Sequence, residues 1–487
     1  MASAYPLGRE VRASSSGIRA LPRAAPPLPP AARPWRARRA RFGAGSMRGA
    51  RAAAAAAGGG VAGGDATHLG LDFGTSGARA TVIDGAGEVV AEARSGYGDG
   101  AEADWAAAWE RVLFDLVASL PEAPRRRVAS LAIDGTSATA MLLDAASGAP
   151  LARPKLYNEA QGPEAVAAAK AIAPPSHTAV ASTSTLCKLL TWHHAGATAH
   201  RGGGGGGAAL LHQADWLASL LHGRRDVSDW NNALKLGFDP GADAYPEWLL
   251  AQEYAPLLPR HVVAPGAPVA PVTPAAAARA GLPAGALVCG GTTDSIAAFV
   301  AAGVTEVGQA VTSLGSTMAV KLLSSCRVDD AAYGVYSHRL GDSWLVGGAS
   351  NTGGAALRRF FSDAQLAALT ARLDVTKPSG LDYYPLVTPG ERFPVNDPGL
   401  QPRLEPRPAD DALFLQGMLE SMARIEAAAY DRLRLLGASP LTEVVTAGGG
   451  AANEKWTAMR AAALGVPVRA AARGEASYGA ALLAARG

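Results

Sequence analysis

The sequence is poor in cysteine and contains no long apolar run. Its three cysteines, Cys187, Cys289 and Cys326, are far apart and lack metal-site spacing, so we predict no disulfide framework and a reducing compartment. No uninterrupted apolar run approaches the roughly 20 residues that a membrane span needs. We therefore expect a soluble protein with no membrane partner. At 487 residues the chain is long enough for two or three domains with substantial cores.

Acidic residues and lysine are nearly absent from residues 1–64. This segment has eleven arginines, no lysine and one acid, Glu10, which gives a net charge of +10. Because the whole chain carries +3, residues 65–487 carry −7, and this acidic remainder gives no reason to expect nucleic acid as a partner. An Arg-rich, Ala-rich and acid-poor leader is typical of an organellar transit peptide. The alternative is a disordered basic arm that binds nucleic acid or a membrane surface.

A strand, turn, strand pattern occupies residues 69–84. The first apolar run ends in Asp72, and a carboxylate at a strand end can hold Mg²⁺ through its waters. The turn combines glycines and hydroxyls, and a fixed positive charge follows: Gly74, Thr75, Ser76, Gly77 and Arg79. Positive φ at both glycines would turn backbone N–H groups toward an anion such as phosphate. The alternative is an ordinary glycine-rich hairpin.

The same pattern recurs at residues 309–323, where Gly315, Ser316 and Thr317 separate two apolar runs. This repetition predicts two related halves, each offering a phosphate-binding hairpin to a cleft between them. Shortly before it, the segment GGTTD places Asp294 at a strand-to-helix turn. The alternative is that Asp294 is a helix N-cap, which is a common role for aspartate.

Another glycine loop, at 448–450, lies between a predicted strand and a predicted helix that contains Asn453 and Trp456. Such loops suit a nucleotide, because the backbone can approach the ligand and the helix N-terminus is electropositive. Trp456 either faces a purine or packs in the core. The run Gly202–Gly207 is interpreted as a flexible surface loop or insertion.

From about residue 67 to its end, the chain resembles the FGGY carbohydrate kinases. Four segments occur in the order of that family: DFGTSGAR and SLGST as phosphate motifs, GGTTD as the segment with the catalytic aspartate, and GGGAAN as the adenosine motif. The resemblance implies an α/β fold of two ribonuclease-H-like (actin-type) domains, with the active site in the cleft between them. It places sugar and phosphate binding in 65–304 and nucleotide binding in 305–487, after the leader 1–64.

The resemblance also implies ATP and Mg²⁺ as cofactors and a role for each motif residue. Asp294 would be the catalytic base, Asp72 would hold Mg²⁺ through water, and Asp72, Thr75, Ser137 and Asp294 would contact the sugar. The residues implied to bind the nucleotide and its phosphates are Gly74, Thr75, Ser76, Arg79, Gly315, Ser316, Thr317, Gly449, Gly450, Asn453 and Trp456.

Within the family, the segments IDGTSATAMLLD, HQADWLASLL, SDWNNALKLGFD and RFPVND resemble the plant-type D-ribulose kinases, a branch also labelled xylulose kinase-like. Two segments that touch sugar in the family depart from its common pattern, at 134–138 and at 157–161. We expect a kinase that makes D-ribulose 5-phosphate in the chloroplast stroma. The alternatives are a D-xylulose kinase and a non-catalytic module that binds ATP and sugar.

Overall fold

The computed structural model describes residues 65–199 and 207–487. The predicted transit segment 1–64 and residues 202–206 of the glycine run lie outside these ranges. No helix within them is long and apolar enough to cross a membrane.

The first part of the chain, up to residue 304, contains eleven strands and nine helices among the described residues. The strands are β1 Thr67–Phe73, β2 Gly77–Asp84, β3 Val89–Gly96, β4 Val128–Gly135, β5 Ala140–Asp144, β6 Ala208–His212, β7 Val227–Asp229, β8 His261–Val263, β9 Pro268–Pro271, β10 Leu287–Cys289 and β11 Thr292–Thr293. The helices are α1 Trp105–Ser119, α2 Glu122–Arg125, α3 Pro163–Ile172, α4 Thr185–His194, α5 Gln213–His222, α6 Trp230–Ala233, α7 Glu247–Leu250, α8 Pro274–Ala280 and α9 Asp294–Ala301.

The second part is built in the same way from strands and helices. Its strands are β12 Gln309–Leu314, β13 Met318–Ser324, β14 Tyr336–Leu340, β15 Ser343–Ser350, β16 Glu443–Ala447 and β17 Val468–Ala470. Its helices are α10 Gly354–Arg358, α11 Asp363–Arg372, α12 Asp411–Leu435, α13 Glu454–Leu464 and α14 Ala476–Ala484.

The first sheet has the order β3-β2-β1-β4-β10-β9, and β11 also pairs with β4. Its first three strands form the antiparallel meander that short glycine turns favour, and β1 pairs in parallel with β4. The side chains of Leu69, Leu71 and Phe73 alternate along β1, share one face of the sheet and are fully buried. Gly70 and Asp72 on the other face are buried too, so β1 is covered on both faces although only one of them is apolar.

The second sheet has the order β14-β15-β13-β12-β16-β17. Its β12 pairs antiparallel with β13 and in parallel with β16. That arrangement repeats the pairing of β1 with β2 and β4, as the echo between the two hairpin sequences predicts. Each sheet therefore carries one glycine-containing turn directly after its β1 or β12 strand.

Helices α9 and α14 lie between the two sheets. The apolar face of α9, including Ile296 and Phe299, packs against the second sheet, and α14 packs against β1 and against α9. Two glycines permit these contacts: a Cβ on Gly70 would lie 1.9 Å from the Ser477 oxygen, and a Cβ on Gly479 would lie 1.8 Å from the Ala297 oxygen. Helix α9 therefore links both halves, and Asp294 is its first residue.

Candidate active site

Two hairpin turns occupy equivalent positions in the two sheets. In the first, the Gly74 amide donates to the Gly77 carbonyl at 3.1 Å, and in the second the Gly315 amide donates to the Thr317 carbonyl at 3.1 Å. The hydroxyl residues of both turns are exposed: Thr75, Ser76, Ser316 and Thr317. Exposed hydroxyls beside accessible backbone amides can bind phosphate oxygens.

The prediction that Gly74 and Gly77 adopt positive φ is wrong, because neither glycine has a φ in that region. Gly77 is required for a different reason. A Cβ at this position would lie 2.6 Å from the Ser95 carbonyl oxygen on the neighbouring strand β3. Glycine is therefore needed at position 77 because strands β2 and β3 pack closely there. The chain reverses direction in this turn without positive φ at either glycine.

Three carboxyl groups converge at the carboxyl end of the first sheet. Asp72 and Asp134 are register partners on the parallel strands β1 and β4, and Asp134 is in turn the partner of Thr292 on β11. Asp294 follows two residues after Thr292. Asp72 is 3% exposed, and the Arg79 guanidinium contacts one of its oxygens at 3.0 Å. Arg79 thus neutralises part of the charge that this cluster would carry.

Asp134 differs from its two neighbours because it is completely buried and neither of its oxygens has an N–H or hydroxyl partner within the described residues. Burial, and then the charges of Asp72 and Asp294, raise its pKa well above the usual value of 3.8. The group that faces it is the carboxyl of Asp72. The raised pKa favours the protonated form of Asp134, which adds no further negative charge to the site.

Asp294 is half-buried and occupies the first position of α9, while Thr293 is the residue at the N-cap position. Its carboxylate accepts the Ser295 amide at 2.6 Å. Burial raises the pKa of Asp294, and the Lys321 ammonium opposes that shift. Lys321 extends from β13 and donates to the Ser295 carbonyl at 2.7 Å, so a cation of the second sheet lies near the carboxylate. The geometry therefore differs from a capping aspartate.

Polar side chains from several elements surround the same end of the first sheet. Ser137 lies in the loop after β4 and is the one residue of 135–139 that is not buried. The Asn231 amide donates to the Thr292 hydroxyl at 3.0 Å, and its own oxygen has no partner within the described ranges. The Gln213 side chain accepts the amide of Thr136 at 3.0 Å. A polyhydroxylated ligand would find both donors and acceptors here.

A cavity of about 650 Å³ lies in the second part, beside the β12–β13 turn. Six of the residues predicted to bind nucleotide line it: Gly315, Ser316, Gly449, Gly450, Asn453 and Trp456. Helices α10 to α12 supply the remaining walls, mainly through leucines and alanine, together with Arg358, Asp363 and Thr370. This volume and apolar lining suit a flat heterocycle. The predicted residues of the first hairpin do not line the cavity.

Trp456 packs in the core and also borders the cavity. Its ring is 4% exposed and its indole N–H donates to the Leu419 carbonyl at 3.1 Å, so it belongs to the core, yet it also lines the cavity. Gly450 lies against it, since a Cβ there would be 2.7 Å from Leu314 and 2.9 Å from the indole ring. Asn453 caps α13 by accepting the Trp456 amide at 2.9 Å.

Residues 310–487 match the model of the FGGY family of carbohydrate kinases, C-terminal domain. This part of the chain is therefore similar to the C-terminal domain of those kinases. Solved structures agree over most of the chain. A xylulose kinase from Brucella ovis is 25% identical with a TM-score of 0.74, and the alignment covers 86% of this chain and 90% of that one.

Two further structures share the fold of this chain. A xylulose kinase from Rhodospirillum rubrum is 24% identical with a TM-score of 0.72, covering 86% of this chain and 89% of that one. A glycerol kinase from Plasmodium falciparum, solved with ADP, is 13% identical with a TM-score of 0.70, covering 86% and 88%. The predicted α/β fold with two ribonuclease-H-like domains is confirmed, and so is the prediction of a carbohydrate kinase.

Sugar kinases of the FGGY family use ATP, typically together with Mg²⁺. The residues here fit the ion: Asp72 ends in a carboxylate at the sheet edge beside the first hairpin turn, and Mg²⁺ is usually held by one or two carboxylates, waters and phosphate oxygens. Within the described ranges, no group of three or more His, Cys, Asp or Glu side chains is arranged to hold a metal directly. Asp72 would therefore hold the ion together with water and phosphate oxygens. The bound Mg²⁺ would neutralise phosphate charge.

Two residues near the site, Asp134 and Lys321, were not predicted as site residues from the sequence. A signal for Asp134 was present, because an apolar strand ends in an acid there as it does at Asp72. No local signal distinguishes Lys321 from other lysines in strands. Its proximity to Asp294 arises only when β13 packs beside α9.

Proposed function

We propose that this protein transfers the γ-phosphoryl group of ATP to the primary hydroxyl of a pentulose, in the first place D-ribulose, to form D-ribulose 5-phosphate. The observation that carries the proposal is the position of Asp294. It begins the helix that links the two sheets, beside Asp72 and the first phosphate turn, with Lys321 reaching it from the second sheet. A base at this point can serve a hydroxyl that meets a phosphate bound across the cleft.

In the proposed reaction, Asp294 accepts the proton of the sugar hydroxyl while the sugar oxygen forms a bond to the γ-phosphorus. The bond between that phosphorus and the β–γ bridging oxygen breaks, and ADP leaves. The two hairpin turns position the phosphates, which is most of what phosphoryl transfer requires from a protein. Burial favours the proton-accepting role, because a carboxylate with a raised pKa is a stronger base than a free one.

D-ribulose is proposed because four segments of the sequence resemble the D-ribulose kinase branch, among them IDGTSATAMLLD and SDWNNALKLGFD. These two segments supply Ser137, Asn231 and the buried loop around them. D-xylulose is the second candidate, since the Brucella ovis structure that matches at 25% identity is named a xylulose kinase.

A coupled assay of ADP formation would test the acceptor. The panel contains D-ribulose, D-xylulose, L-ribulose, D-fructose, ribitol, glycerol and a reaction with no acceptor, each at saturating MgATP. We expect the highest kcat/KM with D-ribulose and a lower value with D-xylulose. A higher kcat/KM with D-xylulose would make D-xylulose the proposed substrate in place of D-ribulose. If none of the acceptors increased ADP formation, the result would contradict the kinase proposal.

We further propose that residues 1–64 direct the protein to the plastid stroma and are then removed, at a point between about residue 50 and residue 64. The support is their Arg-rich and nearly acid-free composition. Mass spectrometry of the protein isolated from its native source would test this. A mature protein that retains Met1 or the arginines of the leader would refute it.

A further inference from the structure

The loop between β4 and β5, residues 135–139, has an unusual backbone. Ala138 adopts φ +67°, in the left-handed region that an L-amino acid other than glycine rarely occupies. The loop is closed by the Thr139 amide, which donates to the Thr136 carbonyl at 3.2 Å, and by a contact of 2.6 Å between the hydroxyls of Thr136 and Thr139. A conformation of this kind persists only where its surroundings stabilise it.

Lys188 supplies such a stabilising contact. It lies in the middle of α4 with a side chain that is 0% exposed, and its ammonium group donates to the Ala138 carbonyl at 2.7 Å. Its neighbours in the helix are core residues: Leu186, Cys187, Leu189 and Leu190. Burying a lysine in the core costs free energy unless its amine has a hydrogen-bond partner. A methionine would fill the same space without that cost.

The consequence of this contact falls on Ser137. Every other residue of 135–139 is buried, so Ser137 is the part of the loop that a ligand can reach. The Gln213 side chain fixes the near end of the loop through the Thr136 amide, and Lys188 fixes the far end through the carbonyl of Ala138. Ser137 lies between these two fixed points.

We propose that Lys188 is a positioning residue for sugar binding, which holds Ala138 in its left-handed conformation and so presents Ser137 to the substrate. This inference rests on the proposed function of the site as a sugar kinase. Lys188 itself is at the base of the loop and acts through the backbone, and the ammonium group of a lysine has three donors with which to hold a carbonyl.

The pKa of Lys188 bears on the strength of this contact. Burial lowers its pKa to about 7, with smaller contributions from Lys235 and Lys155, while Glu159 acts in the opposite direction. Either form of the amine can donate to the Ala138 carbonyl. The hydrogen bond is stronger when the donor is the ammonium ion.

The test is steady-state kinetics of Lys188→Met in the full-length enzyme, with the best acceptor of the panel above. Using that acceptor keeps the comparison meaningful even if D-ribulose is not the substrate. We expect the KM for sugar to rise on the order of tenfold to a hundredfold, the range for loss of a charge-assisted hydrogen bond. The KM for ATP should stay within about twofold, because the nucleotide cavity lies in the second part of the chain.

Two further variants separate positioning from general stability. Lys188→Gln keeps a polar end but is too short to reach Ala138, so the KM for sugar should rise in the same way, whereas Lys188→Arg should restore part of it. Ala138→Gly added to Lys188→Met should also recover part of the loss, because glycine adopts positive φ without steric cost. Lys170→Met, an exposed lysine on the adjacent helix α3, is the matched control and should resemble wild type.

An unchanged KM for sugar in folded Lys188→Met or Lys188→Gln would overturn the proposal. An equal rise in the KM values for sugar and ATP would also overturn it, since that result indicates a general structural defect. A wild-type enzyme that phosphorylates none of the sugars would instead refute the proposed function. In that case, a sugar-induced increase in melting temperature serves as the readout for the same variants, and its retention in Lys188→Met would overturn the inference.

Discussion

At the scale of the residue, the surroundings of Asp294 and Asp134 give the same functional group two different roles. Asp294 is half-buried, accepts an amide and lies near Lys321, so its charged form has stabilising partners. Asp134 is fully buried between other acids, and its raised pKa favours the protonated form. Active sites commonly separate the pKa values of neighbouring carboxyl groups in this way.

Replacement of Asp294 by alanine should lower kcat for sugar phosphorylation by roughly 10²–10⁴-fold, the usual contribution of a positioned proton acceptor. The affinity for MgATP should be nearly unchanged, because Asp294 does not line the nucleotide cavity. Asp72→Ala should also lower kcat, but with an altered dependence on Mg²⁺ concentration. Kinetics and melting temperatures of both variants would check this, and near-normal turnover in folded Asp294→Ala would refute the assignment.

Asp134→Asn should change the dependence of stability on pH. Because the pKa of Asp134 is raised, the folded protein keeps a proton that the unfolded chain releases above about pH 3.8, so the wild type loses stability as pH rises toward the folded pKa. Asparagine has no proton to lose at this position. In thermal melts without Mg²⁺ or nucleotide, the difference in melting temperature in favour of the variant should therefore grow from pH 5 to pH 8. A constant difference would contradict the raised pKa.

At the scale of the element, one buried network joins four pieces of the second part. Arg460 of α13 contacts both oxygens of Glu426 of α12, at 2.6 and 2.7 Å, and both side chains are 1% exposed. The network extends to two strands. Arg460 also donates to the Thr446 hydroxyl on β16, and Glu426 accepts from the Thr312 hydroxyl on β12. The turn with Gly315 follows β12 and the glycine loop 448–450 follows β16, and both line the cavity, so this network holds the strands on which that part of the cavity depends.

Arg460→Met should lower the free energy of unfolding by about 3–5 kcal/mol, because it leaves the Glu426 carboxylate buried without its cation. Adding Glu426→Gln should recover part of the loss. The control is Arg469→Met, which removes a partly exposed pair with Glu443 at 2.6 Å and should cost at most about 1 kcal/mol. Denaturant unfolding of the three variants would check the order, and equal losses for Arg460 and Arg469 would argue against it.

At the scale of the whole molecule, contacts tie a loop of the first part to the second sheet and the segment after β13. Arg327 pairs with Asp239 at 2.5 Å, and Arg339 of β14 donates to the Pro240 carbonyl at 2.6 Å. The Arg339 guanidinium also lies 4.2 Å from the centre of the Trp230 ring. Trp230 is adjacent to Asn231, whose side chain donates to the Thr292 hydroxyl. The contacts of Arg339 therefore help to fix the position of Asn231. In kinases, closure of the two halves of the protein over the substrates excludes water from phosphoryl transfer.

Arg339→Ala should weaken this closure. We expect the KM for sugar to rise about threefold to tenfold, in line with the loss of one cation–π contact and one hydrogen bond, and ADP formation without sugar to increase. Arg372→Ala, which removes an exposed pair with Asp410 at 2.8 Å, is the control. Kinetics and small-angle scattering of the ligand-free protein would check this, and a KM and scattering profile equal to those of the control would contradict it.

The sequence alone determined the two hairpins and the glycine loop at 448–450, because these follow from local rules. Period-two apolar runs and glycine turns define β1–β2 and β12–β13. Repetition of one hairpin predicted the repeated pairing of the two sheets. The motif residues of the second part were also identified from the sequence, and Gly449, Gly450 and Trp456 do meet at one cavity. The local pattern could not distinguish positive φ from close packing at Gly77, since glycine serves both.

Tertiary structure decided everything that depends on burial or on partners distant in the chain. Gly70 meets the backbone of Ser477 across most of the sequence, Lys188 meets Ala138, and Lys321 meets the first turn of α9. The pKa of Asp134 is likewise a property of its neighbours. An ionisable side chain has the same intrinsic chemistry at every position in a sequence. The folded surroundings remove water from it and bring other charges near, and these two effects determine which carboxyl group accepts a proton and which retains one.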